Sequence, residues 1–180
     1  MEVELRIVRA GPERIADLEV LWKALQDHHA RIAPVRAGLR ARSADAAWER
    51  RRPKYEALLA TPSAFVLIAE RAGRPVGYAL VHLAEASHGY ESGERVGEVE
   101  TLSVLGAERG NGIGSALIDA VERELATQGV RELRLSVLAG NDDALRFYER
   151  RGMMPFAHVL LGPVGDRSGE PPDGMSWPSS

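Results

Sequence analysis

The stretch Glu98-Val99-Glu100-Thr101-Leu102-Ser103-Val104-Leu105-Gly106-Ala107-Glu108-Arg109-Gly110-Asn111-Gly112-Ile113-Gly114-Ser115 decides the reading of this chain. Its first part, from Val96 to Val104, reads as a strand. Side chains on a strand repeat every two residues, so Glu98 and Glu100 are expected on one face together with Val96, Leu102 and Val104. Two carboxylates then interrupt an apolar stripe, and a buried carboxylate is costly unless it has a partner. Behind the strand, Gly106 to Asn111 is a tight, charged loop. Ile113, Ala116, Leu117, Ala120, Val121 and Leu125 come next at helical spacing, closed by Gly129. A helix N-terminus offers unpaired N–H groups and the positive end of the helix dipole. Glycines clear side chains away so that a pyrophosphate can reach those groups, and Arg109 adds a formal positive charge. Strand, Arg109-Gly110-Asn111-Gly112-Ile113-Gly114, and amphipathic helix together predict a phosphate-binding turn rather than a bare tight turn.

Two other phosphate loops do not fit. A Walker loop ends in Gly-Lys-Ser/Thr, and Gly114-Ser115 has no lysine before the serine. A dinucleotide-binding turn places its first glycine almost directly after the strand, whereas here Leu105 to Arg109 stand between Val104 and Gly110. Too little chain remains for two mononucleotide halves, and Leu138-Ala139-Gly140 stands where the acidic ribose ligand belongs.

Outward from this centre, Glu2 to Val8 alternates like a half-buried strand. Leu18, Leu21, Trp22, Leu25, His29 and Ile32 form a helical pattern that Pro12 opens and Pro34 stops. A second helix, capped by Ser43, carries Ala47, Trp48, Tyr55, Leu58 and Leu59, and Pro53 inside it is expected to kink or split it. Phe65 to Glu70 and Val76 to Leu83 form a hairpin about the turn Ala72-Gly73-Arg74-Pro75. Glu85 to Arg95 reads as an exposed loop. Val130 to Leu138 is a strand, Asn141 caps a short helix that runs to Arg151, and Phe156 to Leu161 is a last strand. Trp22 and Trp48 read as core. The order β-α-α-β-β-β-α-β-α-β predicts a mixed α/β domain over residues 1–163, with a central, mostly antiparallel sheet flanked by helices. Residues 164–180, rich in Gly, Pro, Ser and Asp, are expected to be a disordered tail.

Composition narrows the function classes. The chain has 180 residues, 44% hydrophobic and 27% charged, which suits one soluble domain. A formal net charge of -3 gives no basic excess for nucleic acid. Cysteine is absent, which removes disulfides, thiolate metal sites and a cysteine nucleophile. No Asp/Glu/His spacing marks a metal site. Neither a signal peptide nor a membrane-length apolar stretch is legible, so a cytoplasmic protein without membrane association is expected.

Leu102-Ser103-Val104 followed by Arg109-Gly110-Asn111-Gly112-Ile113-Gly114-Ser115 resembles the acetyl-CoA signature of the GNAT superfamily of N-acetyltransferases, Arg/Gln-x-x-Gly-x-Gly/Ala. Leu135-Ser136-Val137 to Asn141 and then Ala144 to Met153 resembles the second cofactor motif of that family. The pair covers about a third of the chain, in order and at the right separation. The resemblance implies a GNAT-like fold and acetyl-CoA as cosubstrate. It also implies that Leu102, Ser103 and Val104 bond the pantetheine arm and acetyl carbonyl through backbone amides. Arg109, Gly110, Asn111, Gly112, Ile113, Gly114 and Ser115 would hold the pyrophosphate, Asn141 the cofactor arm, and Tyr148 would protonate the leaving thiolate. The chain departs from the family at Gly106, where proline is common, and at Ser136, where some members carry a glutamate base.

Acyl transfer from a thioester to an amine needs a base for the amine, donors for the oxyanion and an acid for the thiolate. Glu100, and behind it Glu98, are the candidate bases, direct or through water; the alternative is that they sit at a rim position or pair with arginine. Tyr148 alone would read as a half-buried core tyrosine, and Asn141 as an ordinary helix cap. His28, His29 and the loop Ser87 to Ser92 are candidates for acceptor contact. The predicted function is therefore N-acetyl transfer to an amine acceptor, small molecule or peptide; the alternative is a non-catalytic acyl-CoA-binding module. Nothing in the residues names the acceptor, and the resemblance allows a homodimer.

Overall fold

The structure, a computed structural model, describes residues 4–36 and 38–162. The proposed tail and the first residues of the first strand, Glu2 and Val3, lie outside the described residues. A five-stranded mixed sheet forms the centre, in the order β1 (Leu5–Ala10), β4 (Ala64–Arg71), β5 (Arg74–Glu85), β6 (Arg95–Val104) and β7 (Leu133–Leu135). The first three ladders are antiparallel and the last, β6 with β7, is parallel. Helices α1 (Ile15–Ile32), α2 (Ala44–Leu59) and α3 (Ile113–Thr127) accompany the sheet. These elements, with α1 up to His28, make one compact unit. The described residues of 29–42 and 137–162 belong to a second, which holds the short hairpin β2 (Val35–Arg36) and β3 (Leu39–Arg40) and the helix α4 (Asp142–Glu149).

Two apolar layers explain the first unit. Leu18, Leu21 and Trp22 of α1 and Trp48, Tyr55 and Leu59 of α2 cover Val66, Ile68, Tyr78 and Leu80 on one sheet face. Ile113, Leu117, Val121 and Leu125 of α3 cover Phe65, Leu67, Ala79, Val81 and Val99 on the other. From Phe65 to Ala69 on β4 and from Tyr78 to Val81 on β5, alternate residues go to opposite layers. Gly97 is required by that packing: a Cβ there would collide with the Leu125 side chain.

The structure corrects four local readings. Pro53 does not split its helix; α2 runs unbroken through it. Trp48 on one side of Pro53 and Tyr55 and Leu59 on the other are all buried in the same layer, and that packing outweighs one lost backbone bond. The last strand, Phe156 to Leu161, does not form, and residues 153–162 carry no regular structure. Val159 and Leu160 are 88% and 91% exposed, and an apolar run without a ladder partner is not a strand. The strand read over Val130 to Leu138 shrinks to Leu133–Leu135, because its ladder with β6 ends at Val99 and Leu135.

The fourth correction concerns β6. Leu80 pairs with Thr101 while the next residue, Val81, pairs with Val99, so Glu100 is the extra residue of a β-bulge. A bulge shifts the side-chain parity of the residues beyond it. Glu98 and Glu100 do share a face, but Leu102 and Val104 do not join them. They pack instead in the α3 layer, and Thr101 and Ser103 turn toward α1 and α2.

Candidate active site

The bulge puts Glu100 under α2. Its Oε1 accepts bonds from Arg51 Nη1 and Lys54 Nζ, each at 2.5 Å, and its side chain is 11% exposed. Both bonds land on Oε1. Glu98, on the same face, accepts from Arg134 of β7. Neither carboxylate is bare, which is the pairing with arginine that the sequence left open. Arg51 also lies over the rings of Trp22 and Tyr55, at 5.5 and 5.7 Å from their centroids, so its guanidinium is held from two sides.

Directly beneath the bulge runs a buried chain of hydroxyls. Thr101 Oγ1 donates to the Glu100 carbonyl at 2.8 Å. With that proton committed, Tyr55 donates to Thr101 across 2.6 Å, and Tyr78 to Tyr55 across 2.9 Å. Ser103 donates to the Leu21 carbonyl at 2.8 Å, pinning α1 to the end of β6. Buried networks with every member satisfied fix one geometry, and this one fixes the bulge. It was not foreseen from the sequence, in which Tyr55, Tyr78 and Thr101 read as core or ordinary strand residues.

Leu102, Ser103 and Val104 pair with Ala79, Tyr78 and Gly77 on one edge. On the other edge, pairing with β7 stops at Val99. Among the described residues no strand covers the backbone of residues 100–104 on that side. The turn beyond them is built as the glycines suggest. Gly110 and Gly112 have φ of +81° and +75°, conformations that favour glycine. Gly112 caps α3 with no side chain, and the first α-helical bond runs from Ala116 N to Gly112 O. The amides of Ile113, Gly114 and Ser115 therefore precede the intrahelical ladder. Arg109 Nε donates to the Val104 carbonyl at 3.2 Å, and its Nη1 stands 3.5 Å from His28 Nδ1. The arginine charge and one of the candidate histidines thus meet at the end of β6.

In the second unit, Asn141 caps α4, its Oδ1 accepting from Ala144 N at 3.4 Å. Tyr148 on that helix is half-buried, its ring 5.0 Å from that of Phe147. Burial pushes the Tyr148 phenol from 10.0 up to about 12. Tyr55 is likewise pushed up to about 12, chiefly by burial. Tyr78, fully buried, lies well above the ordinary range for the same reason. In the loop before β6, Glu91, Ser92 and Gly93 line a shallow depression with Gly129, Arg131 and Glu132. Among the described residues, no group of His, Cys, Asp or Glu is placed to hold a metal ion, and no helix is long and apolar enough to cross a membrane.

The raised phenols set an alkaline limit. The charged form of a tyrosine is the deprotonated one, and burial disfavours it, so the unfolded chain gives up these protons first. The stability is fully present below pH 10.0 and is lost as pH rises toward about 12. The urea midpoint should fall from about pH 10 upward. In an ultraviolet titration Tyr148→Phe should delete one phenol titrating near 12. A profile in which every tyrosine titrates near 10.0 would contradict this burial.

Comparison with known proteins places this arrangement. The family model described as the acetyltransferase (GNAT) family matches residues 22–153. The chain is similar to the mycothiol acetyltransferase of Amycolatopsis mediterranei, 39% identical over 85 residues, covering 47% of this chain and 28% of that protein. It is also similar to the aminoalkylphosphonate N-acetyltransferase of Salmonella typhimurium, 34% identical over 101 residues, covering 56% of this chain and 64% of that protein. The chain spans less than two thirds of the length of either. Among solved structures, a GCN5-related N-acetyltransferase from Ralstonia eutropha superposes with a TM-score of 0.72 at 20% identity, covering 90% of this chain and 100% of that one. At that identity the likeness shows the fold.

Proposed function

The chain belongs to the acetyltransferase (GNAT) family, and on that premise we propose that it transfers an acetyl group from acetyl-CoA to a primary amine of a small molecule or peptide. The observation that carries the reading is the glycine turn: two glycines at positive φ open α3 at the end of the short loop that follows β6, and among the described residues no strand pairs with the outer edge of β6 beyond Val99. In this reading residues Arg109 to Ser115 bind the pyrophosphate through backbone amides and the helix dipole. The free edge at Leu102, Ser103 and Val104 takes the pantetheine arm and polarises the acetyl carbonyl, and Asn141 bonds the cofactor arm.

The amine loses its proton to Glu100, directly or through one water, at Oε2, since Oε1 carries both cations. Arg51 and Lys54 hold that carboxylate in place through Oε1. Glu98 stands behind it as the second acidic group. Tyr148 donates a proton toward the sulfur as the thiolate leaves; a phenol held up at about 12 is always protonated at neutral pH. We assign these roles to a domain spanning residues 1–163, acting in the cytoplasm, where acetyl-CoA is available, as a monomer or a homodimer. The names of the two curated relatives refer to different acceptors, so the acceptor class here stays at primary amines.

A second reading, a non-catalytic acyl-CoA-binding module, draws support from the ion pairs on both Glu98 and Glu100. Cofactor binding is common to both readings and is tested by melting. Acetyl-CoA at a hundredfold excess over its dissociation constant should stabilise the protein by about 2.7 kcal/mol, with NAD and ATP doing much less. Equal stabilisation by ATP would remove CoA from the account.

A further inference from the structure

On the sheet face that carries Glu100, one polar group among the described residues is left over by the packing and by the roles above. Tyr78 and Leu80 of β5 belong to the layer under α1 and α2, and Ala79 and Val81 to the layer under α3. By alternation His82 points to the same side as Leu80. Its register partner is Glu98, and directly opposed residues of an antiparallel ladder share a face, with Cβ atoms about 5 Å apart. Glu98 in turn stands opposite Arg134 of β7, which bonds it. A row His82–Glu98–Arg134 therefore crosses three adjacent strands, two residues along β6 from the bulge at Glu100. In this row Glu98 and Arg134 satisfy each other, whereas His82 Nδ1 is buried with no hydrogen-bond partner. A buried nitrogen left without a partner costs free energy, and such a group in a folded protein calls for a ligand or a reason.

We propose that His82 is an acceptor-binding residue whose imidazole takes a hydrogen bond from a hydroxyl carried beside the reacting amine, so that the preferred acceptors are hydroxylated amines. The inference rests on the acetyl-transfer reading and narrows its acceptor. Charge decides the class. A carboxylate or phosphate at His82 would face Glu98, and the nearby cation, Arg134, is already engaged with Glu98. A second ammonium would seek the carboxylate rather than the imidazole nitrogen. A neutral donor remains. Distance agrees: two residues along β6 and one strand across separate His82 from Glu100 by about 8–9 Å. A hydroxyl two carbons from an amine, with a hydrogen bond of about 3 Å at each end, bridges that span.

The test compares ethanolamine with n-propylamine, which differ by a hydroxyl in place of a methyl, using His82→Leu and His82→Asn. Asn returns a polar group near the Nδ1 position; Leu does not. The parent should favour ethanolamine in kcat/KM by about tenfold, the worth of one hydrogen bond. His82→Leu should lose that preference, His82→Asn should recover most of it, and the KM for acetyl-CoA should stay unchanged. The Tm of His82→Leu should equal or exceed that of the parent, because an unsatisfied atom is removed; a histidine that only supports the fold would lower it. A parent indifferent to the hydroxyl, a preference that survives in folded His82→Leu, or a parent that acetylates other amines but neither of these overturns the proposal. A parent that acetylates no amine overturns the acetyl-transfer reading itself.

Discussion

Gly112→Glu should abolish acetyl-CoA binding while the protein still folds. Gly112 has φ of +75° and open space around its missing Cβ, so a larger side chain meets no steric wall. The left-handed backbone costs a non-glycine residue about 1–2 kcal/mol, which a surface turn can bear. The carboxylate is the larger effect. Placed about 4 Å from a pyrophosphate charge near the surface, it costs about 4 kcal/mol, close to a thousandfold in affinity. Gly112→Ala separates the two contributions: it carries the strain without the charge and should lose about tenfold or less. Calorimetric titration with CoA reads both variants, and their far-ultraviolet dichroism checks the fold. If folded Gly112→Glu binds CoA as the parent does, the phosphates lie elsewhere.

Tyr148→Phe should lower turnover by about a hundredfold or more at nearly constant cofactor affinity, the usual range for losing an acid or base group. The change keeps the ring beside Phe147 and removes only the hydroxyl. Glu100→Gln keeps shape and removes the charge that Arg51 and Lys54 share. Its turnover should fall most at low pH, where the amine is hardest to deprotonate, and recover in part at high pH. Its melting temperature must be read alongside, because two cations lose their counter-charge. Parent-like turnover in both variants, with CoA still bound, would make Tyr148 and Glu100 structural.

The features legible in the sequence were local. The turn from Arg109 to Gly114 and the apolar stripe of α3 are contiguous, and their chemistry can be read residue by residue. Trp22 and Trp48 emerged from helical period alone and are buried as expected. The bulge at Glu100 was not legible, because a period-two reading of β6 assumes an unbroken ladder; one extra residue moved Leu102 and Val104 to the opposite layer. The partners of Glu100 stand 49 and 46 residues away, on a helix whose Pro53 argued for a break. Phe156 to Leu161 has strand composition, but a ladder partner is a property of the fold and not of the segment. His82 reads as one more strand residue until its unpartnered nitrogen is seen beside Glu98.

Thiol release tests acetyl transfer most directly. The chain contains no cysteine, so every thiol that appears when the protein is mixed with acetyl-CoA and an amine is free CoA. With the parent protein and a panel of primary amines, thiol should appear in step with N-acetylated product, saturate with amine and depend on the enzyme concentration. Tight acetyl-CoA binding with no amine-dependent thiol across the panel would contradict acetyl transfer and leave a protein that binds the cofactor without using it.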